Sequence, residues 1–129
     1  MANEEKVTFY MCRVCKKVVE VVKDSFGTMT CCSAQMEKLI PNTTDASSEK
    51  HVPVVTIDNG KINVKVGSIP HPMIDEHYIE WIVATYGNRV NRYILKPGDE
   101  PAAAFCAKNP DMSDLEVYAY CNLHGLWKA

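Results

Sequence analysis

The sequence predicts an all-β chain in two parts, a small metal-bound β domain followed by a larger β-sandwich. Three observations predict it. Short runs rich in β-branched and aromatic residues recur between turn residues, with no helical repeat of apolar positions. Four cysteines crowd into residues 12–32, in a stretch too short to bury a core of its own. A polar run, Pro41-Asn42-Thr43-Thr44-Asp45-Ala46-Ser47-Ser48, separates that stretch from the rest. The expected boundaries are 1–38 for the small domain, 39–48 for a linker and 49–129 for the sandwich.

Taken in order, residues 7–11 (VTFYM) and 18–22 (VVEVV) read as strands, with Cys12-x-x-Cys15 between them. Asp24-Ser25-Phe26-Gly27 reads as a turn, and residues 28–32 lead into a second cysteine pair. His51 is expected to open the next strand, which continues over 52–57. Asp58-Asn59-Gly60 then signals a tight hairpin, because Asn-Gly supplies the positive φ angles it needs. Residues 61–66 (KINVKV) alternate polar and apolar, so one face is wet. Strands at 77–86, 89–95, 102–106 and 115–120 complete the set, with turns at Pro97-Gly98 and Asn109-Pro110-Asp111. This spacing suggests a sandwich.

Composition limits the functions available. A chain of 129 residues, 47% hydrophobic and 23% charged, has a globular balance. A net charge of −2 gives no basic face for nucleic acid. An anionic substrate would have to be drawn by a local positive patch. No stretch approaches the ~20 apolar residues of a membrane span. The N-terminus lacks the basic and apolar regions of a secretory signal, so the cytoplasm is the expected compartment. Six cysteines there are metal ligands or reactive thiols before they are disulfides. Cys106, outside both clusters below, reads as a buried strand thiol.

Cys12, Cys15, Cys31 and Cys32 form the first cluster. Thiolates three apart can close a loop around one ion. Cys31 and Cys32 are adjacent, so their ion is expected in a distorted tetrahedron. Structural zinc, a one-iron redox centre and a disulfide-forming pair all remain open, since thiolates suit zinc and iron alike.

His51, His71, His77, Cys121 and His124 form the second cluster. Cys121-Asn122-Leu123-His124 is a chelate at a strand end, and His71 stands between Pro70 and Pro72. An isolated histidine is ordinarily a satisfied one. Five such groups at strand ends and loops are a different matter, because structural zinc stops at four ligands. Imidazole with thiolate suits iron and leaves a position for substrate. The set lacks the two-histidine, one-carboxylate pattern of non-haem oxygenases. A pure electron carrier and a zinc-stabilised interaction module are the other readings.

These motifs, with Glu49-Lys50-His51-Val52-Pro53 and His71-Pro72-Met73, resemble the desulfoferrodoxin type of superoxide reductase over essentially the whole chain. The resemblance implies a desulforedoxin-like domain with iron on Cys12, Cys15, Cys31 and Cys32. It implies an immunoglobulin-like sandwich with a second iron on His51, His71, His77 and His124 and an axial Cys121. The implied reaction is one-electron reduction of superoxide to hydrogen peroxide, a detoxification, with electrons from a rubredoxin-like donor and a homodimeric assembly. Family position favours Lys50 as the residue that steers superoxide, over a solvated linker-end lysine. Glu49, a surface carboxylate on spacing alone, is a candidate sixth ligand of ferric iron.

Overall fold

The computed structural model describes residues 6–107 and 113–129. The turn expected at Asn109-Pro110-Asp111 lies outside the described residues. In chain order the elements are β1 (Thr8–Met11), β2 (Val18–Val21), β3 (Thr30–Cys31), β4 (Ala34–Gln35), β5 (Glu37–Lys38) and α1 (Ser48–His51). They continue with β6 (Pro53–Asp58), β7 (Lys61–Val66), β8 (Ile79–Tyr86), β9 (Arg89–Ile94), β10 (Ala102–Cys106), β11 (Glu116–Cys121) and β12 (Gly125–Lys128).

Contacts divide the chain into two units, Met1–Ile40 and Pro41–Ala129. In the first, β1 lies between β2 and β5, and β3 pairs with β4. β1 alternates, sending Phe9 and Met11 inward. Among the described residues of this unit, the buried apolar groups are Val7, Phe9, Met11, Cys12 and Met36. So few cannot offset the entropy of ordering a chain this long, and the cysteine cluster must supply the rest.

In the second unit an antiparallel sheet ordered β10-β7-β6 faces one ordered β12-β11-β8-β9. Ile62, Val64 and Val66 of β7 pack in one core with Ile79, Ile82 and Ala84 of β8 and with Val117, Ala119 and Cys121 of β11. Seven antiparallel strands in two layers make an immunoglobulin-like sandwich, with the fourth strand on the sheet of the third, sixth and seventh. The hairpin from β6 to β7 turns on Asn59 (φ 49°) and Gly60 (φ 74°), as the Asn-Gly signal requires. β7 keeps its predicted alternation, with Ile62, Val64 and Val66 buried between more exposed neighbours.

Three expectations change. His51 does not open a strand: it ends the single turn α1, and β6 begins at Pro53. His77 precedes its strand, held by an isolated bridge to Ile74, and β8 begins at Ile79. Cys106 is exposed, not buried, because Ala103 and Phe105 take the inward positions of β10 and parity turns its thiol out. Within residues 39–48, the Leu39 N–H donates to Phe9 O (2.8 Å), and Asn42 exchanges hydrogen bonds with Lys128 of β12 (2.8 and 3.0 Å).

Candidate metal centres

The first cluster is built on two turns. After β1, the Cys12 N–H donates to Lys17 O and the Lys16 N–H to Cys12 O, both at 2.9 Å, with Lys16 at φ 68°. This folds Cys12 and Cys15 onto one side. The adjacent pair straddles a hairpin. Cys31 ends β3, while Cys32 (φ 54°) and Ser33 (φ 60°) form the two-residue turn into β4. Two successive left-handed residues are the signature of a type I′ turn. That turn lets neighbouring sulfurs converge, and sequence reading missed it.

Each of the four cysteines offers its Sγ within 4.8 Å of the others. Two edges of the cluster are 3.7 Å, Cys15 to Cys31, and 3.9 Å, Cys31 to Cys32. A regular tetrahedron with ~2.3 Å metal–sulfur bonds has edges of about 3.8 Å. These two edges stay near the regular value, reached through the left-handed backbone at Cys32 and Ser33. The Cys15 N–H, donating to Cys12 Sγ, holds the Cys12 thiol down at about 6. Cys31 is pushed up to about 12, first by sharing its proton with Cys15 and then with Cys12. One low thiol beside a proton-sharing neighbour is what four crowded sulfurs do until a cation takes the place of the protons.

The second cluster gathers four segments of the sandwich. His51 ends α1, with its Nδ1 2.7 Å from Ser47 O. His71 follows β7 on a loop fixed by its own N–H to Val66 O, with its Nδ1 2.7 Å from Pro72 O. His77 sits in the bridge to Ile74. Cys121 ends β11, fully buried, where a bulge between Tyr120 and Cys121 shifts its partner on β8 to Ile79. His124 closes the turn into β12.

The rings form a closed cycle. Centroids lie 4.6 Å apart for His51–His71 and His71–His77, and 5.0 Å apart for His77–His124 and His124–His51. Each neighbouring pair is nearly perpendicular, at 76° to 86°. The diagonal His51–His77 is longer, 6.2 Å. His124 Nδ1 lies 3.2 Å from His51 Nε2 and 3.8 Å from Cys121 Sγ. Four imidazoles thus surround one point with the Cys121 sulfur beside them.

The donor set fits a metal ion. A carbonyl only accepts, so His51 and His71 each carry their proton on Nδ1. Their Nε2 atoms then face each other as bare lone pairs at 3.1 Å. Burial lowers both pKa values, His71 to about 4, so no second proton relieves the repulsion near neutrality. His77 Nε2 is buried without a hydrogen-bond partner. Two nitrogens at right angles on an ion with ~2.1 Å bonds stand about 3.0 Å apart. A single cation answers all three observations. Burial also raises the Cys121 thiol, opposed by the N–H groups of His124 and Leu123, which stabilise its thiolate.

The desulfoferrodoxin profile matches residues 43–129, and the profile of the desulfoferrodoxin N-terminal domain matches residues 4–39. The chain belongs to the desulfoferrodoxin family. Its four-cysteine and histidine–cysteine clusters are the two metal sites of the two-iron desulfoferrodoxins. The desulfoferrodoxin homolog of Archaeoglobus fulgidus is 47% identical over 126 residues, covering 97% of this chain and 98% of that protein. The desulfoferrodoxin of Syntrophotalea carbinolica is 44% identical over 125 residues, 97% of each chain. Among solved structures, the superoxide reductase from Treponema pallidum matches with a TM-score of 0.77 at 29% identity, over 97% of this chain and 99% of that one.

The structure brings Cys12, Cys15, Cys31 and Cys32 together, and His51, His71, His77 and Cys121 together, each set within 4.8 Å, and His124 adjoins the second through His51 and Cys121. Glu49 and Lys50 stand next to His51 on α1, both exposed. Lys50 is close enough that, after burial and the neighbouring histidines, its charge helps depress His51 and His77. The Glu49 carbonyl accepts from Ile69 N–H (2.9 Å) and Ser68 Oγ (3.2 Å), which pins the turn. Sequence reading missed the carbonyls of Ser47 and Pro72 and the side chains of Asn122 and Trp127. None of these carries a ligand signature, and each acts only through the fold.

Proposed function

We propose that this chain is a superoxide reductase, adding one electron and two protons to superoxide to give hydrogen peroxide without releasing oxygen. The facing Nε2 lone pairs of His51 and His71, 3.1 Å apart in a ring of four imidazoles, carry the reading. His51, His71, His77, His124 and Cys121 would hold an iron ion, which would supply the electron. The protein's residues do the rest. Ser47 O and Pro72 O hold the Nδ1 protons and aim two rings. The N–H groups of Leu123 and His124 hold negative charge on Cys121. Lys50 supplies the positive patch that a chain of net charge −2 otherwise lacks, drawing the anion in and offering a proton directly or through water. Glu49, one residue before it, is the candidate sixth ligand of the ferric state. A rubredoxin-like donor, a homodimer, a cytoplasmic location and domain limits near 38 and 49 complete the proposal, and rest on the family and on the sequence.

The deciding experiment is a pulse of superoxide on the anaerobically reduced protein, with peroxide and oxygen counted. Reduction yields one peroxide per superoxide and no oxygen. Oxygen release at half the superoxide consumed would identify a dismutase, and no consumption would leave an electron carrier.

A further inference from the structure

Trp127 lies in β12 and is 2% exposed. Its indole stacks on the His51 ring, with centroids 4.7 Å apart and planes 27° from parallel. Its Nε1–H donates to the His124 carbonyl at 3.2 Å. One side chain therefore touches two members of the imidazole ring that are 73 positions apart in sequence.

His51 needs such a contact. The hydrogen bond from Nδ1 to Ser47 O sets where the ring points, but a hydrogen bond tolerates rotation about its own axis. The torsion that tilts an imidazole is broad. A flat indole against the ring removes that freedom. At the other end, the bond to His124 O restrains the turn whose Nδ1 must meet His51 Nε2 at 3.2 Å, across rings 86° apart. Cation–imidazole bonding depends on the lone pair lying along the bond, so a tilt at either ring weakens the site.

We propose that Trp127 is a positioning residue of the histidine–cysteine centre, fixing the plane of His51 by stacking and the place of His124 by its indole N–H. The inference rests on the metal reading of that centre. It assigns Trp127 no contact with substrate.

The test uses the full chain loaded with iron in both centres. Trp127→Phe keeps a stacking ring and loses the N–H bond; Trp127→Leu loses both. Iron dissociation from the histidine–cysteine centre should rise about ten- to a hundredfold in Trp127→Leu, and less in Trp127→Phe. The electron-spin signature of the ferric centre should shift in the same order at full loading, which a loss of general stability would not produce. The four-cysteine centre in the same molecule should keep its absorption and serve as the internal standard. Unchanged affinity and unchanged signature in both variants would overturn the proposal. If Trp127→Leu does not fold, Trp127→Phe decides: a shifted signature supports the assignment and a wild-type one overturns it. A wild-type protein that binds iron only at its cysteines would overturn the metal reading itself.

Discussion

Asn122 and Tyr78 are joined twice. The Tyr78 N–H donates to Asn122 Oδ1 at 2.9 Å, and the Asn122 N–H donates to the Tyr78 carbonyl at 3.2 Å. The Asn122 amide also donates to Glu76 O at 3.0 Å. These bonds tie the loop carrying His77 to the turn carrying Cys121 and His124. Asn122→Ala should therefore loosen His77 and raise iron dissociation from the second centre about tenfold or more, leaving the four-cysteine centre unchanged. Chelator competition, followed separately in the absorption bands of the two centres, checks this.

Lys50 is placed by backbone packing. A Cβ on Gly67 would stand 2.5 Å from Glu49 O, closer than such atoms approach, and a tight 3.0 Å from the Lys50 carbonyl carbon. Lys50→Ala should lower the association rate with superoxide by several-fold to about tenfold and flatten its dependence on salt. Gly67→Ala should mimic this with Lys50 still present, because the turn must move. Rates from pulsed superoxide at two ionic strengths decide; equal salt slopes in wild type and Lys50→Ala would remove the steering role.

Acid should weaken the metal-free sandwich. The His71 pKa is held down at about 4, from 6.5, by burial. Between those two values the unfolded chain binds the proton and the folded one does not, so stability falls as pH drops across that window. Above the unfolded value the contribution is fully present. His51 and His77, also lowered by burial, act in the same sense. Denaturant midpoints taken in steps across the window should fall toward acid, and His71→Gln should reduce the slope.

The first centre should behave as a staple. Its unit buries few apolar groups, so removing the metal, or Cys31→Ser, should unfold residues before 40 while the sandwich keeps its transition. Superoxide reduction should persist with Cys15→Ser, since the proposed chemistry needs only the histidine–cysteine centre. Two-wavelength melting and a superoxide pulse on the same variant check both; loss of turnover with the sandwich still folded would make the first centre obligatory.

Sequence revealed what has a local signature. Asn59-Gly60 has one chain geometry open to it, and it forms the expected turn. The alternation of 61–66 fixes which face of β7 is buried. The ligands were legible because cysteine and histidine in such numbers, at such spacings, have few other uses. What stayed hidden depends on partners far along the chain. The four residues of β12 are too few to announce a strand, and exist because β11 offers an edge. The two-residue pairs of β3 and β4 follow from the Cys32-Ser33 turn and not from propensity. Cys106 looked buried because thiols usually are, yet Phe105 had already taken the inward register.

The imidazole ring closes between His51 and His124, 73 positions apart. A ribosome delivers these ligands in order. The four cysteines, all within residues 12–32, are made together and before His51, the first histidine of the second set. The histidine set stays incomplete until residue 124 is added, roughly 5–20 s after Cys32 at ordinary rates of synthesis. One chain thus presents its two iron sites to the cell at two separate times. The cysteine site is open to cotranslational loading, and the histidine–cysteine site can be completed only once residue 124 has been added.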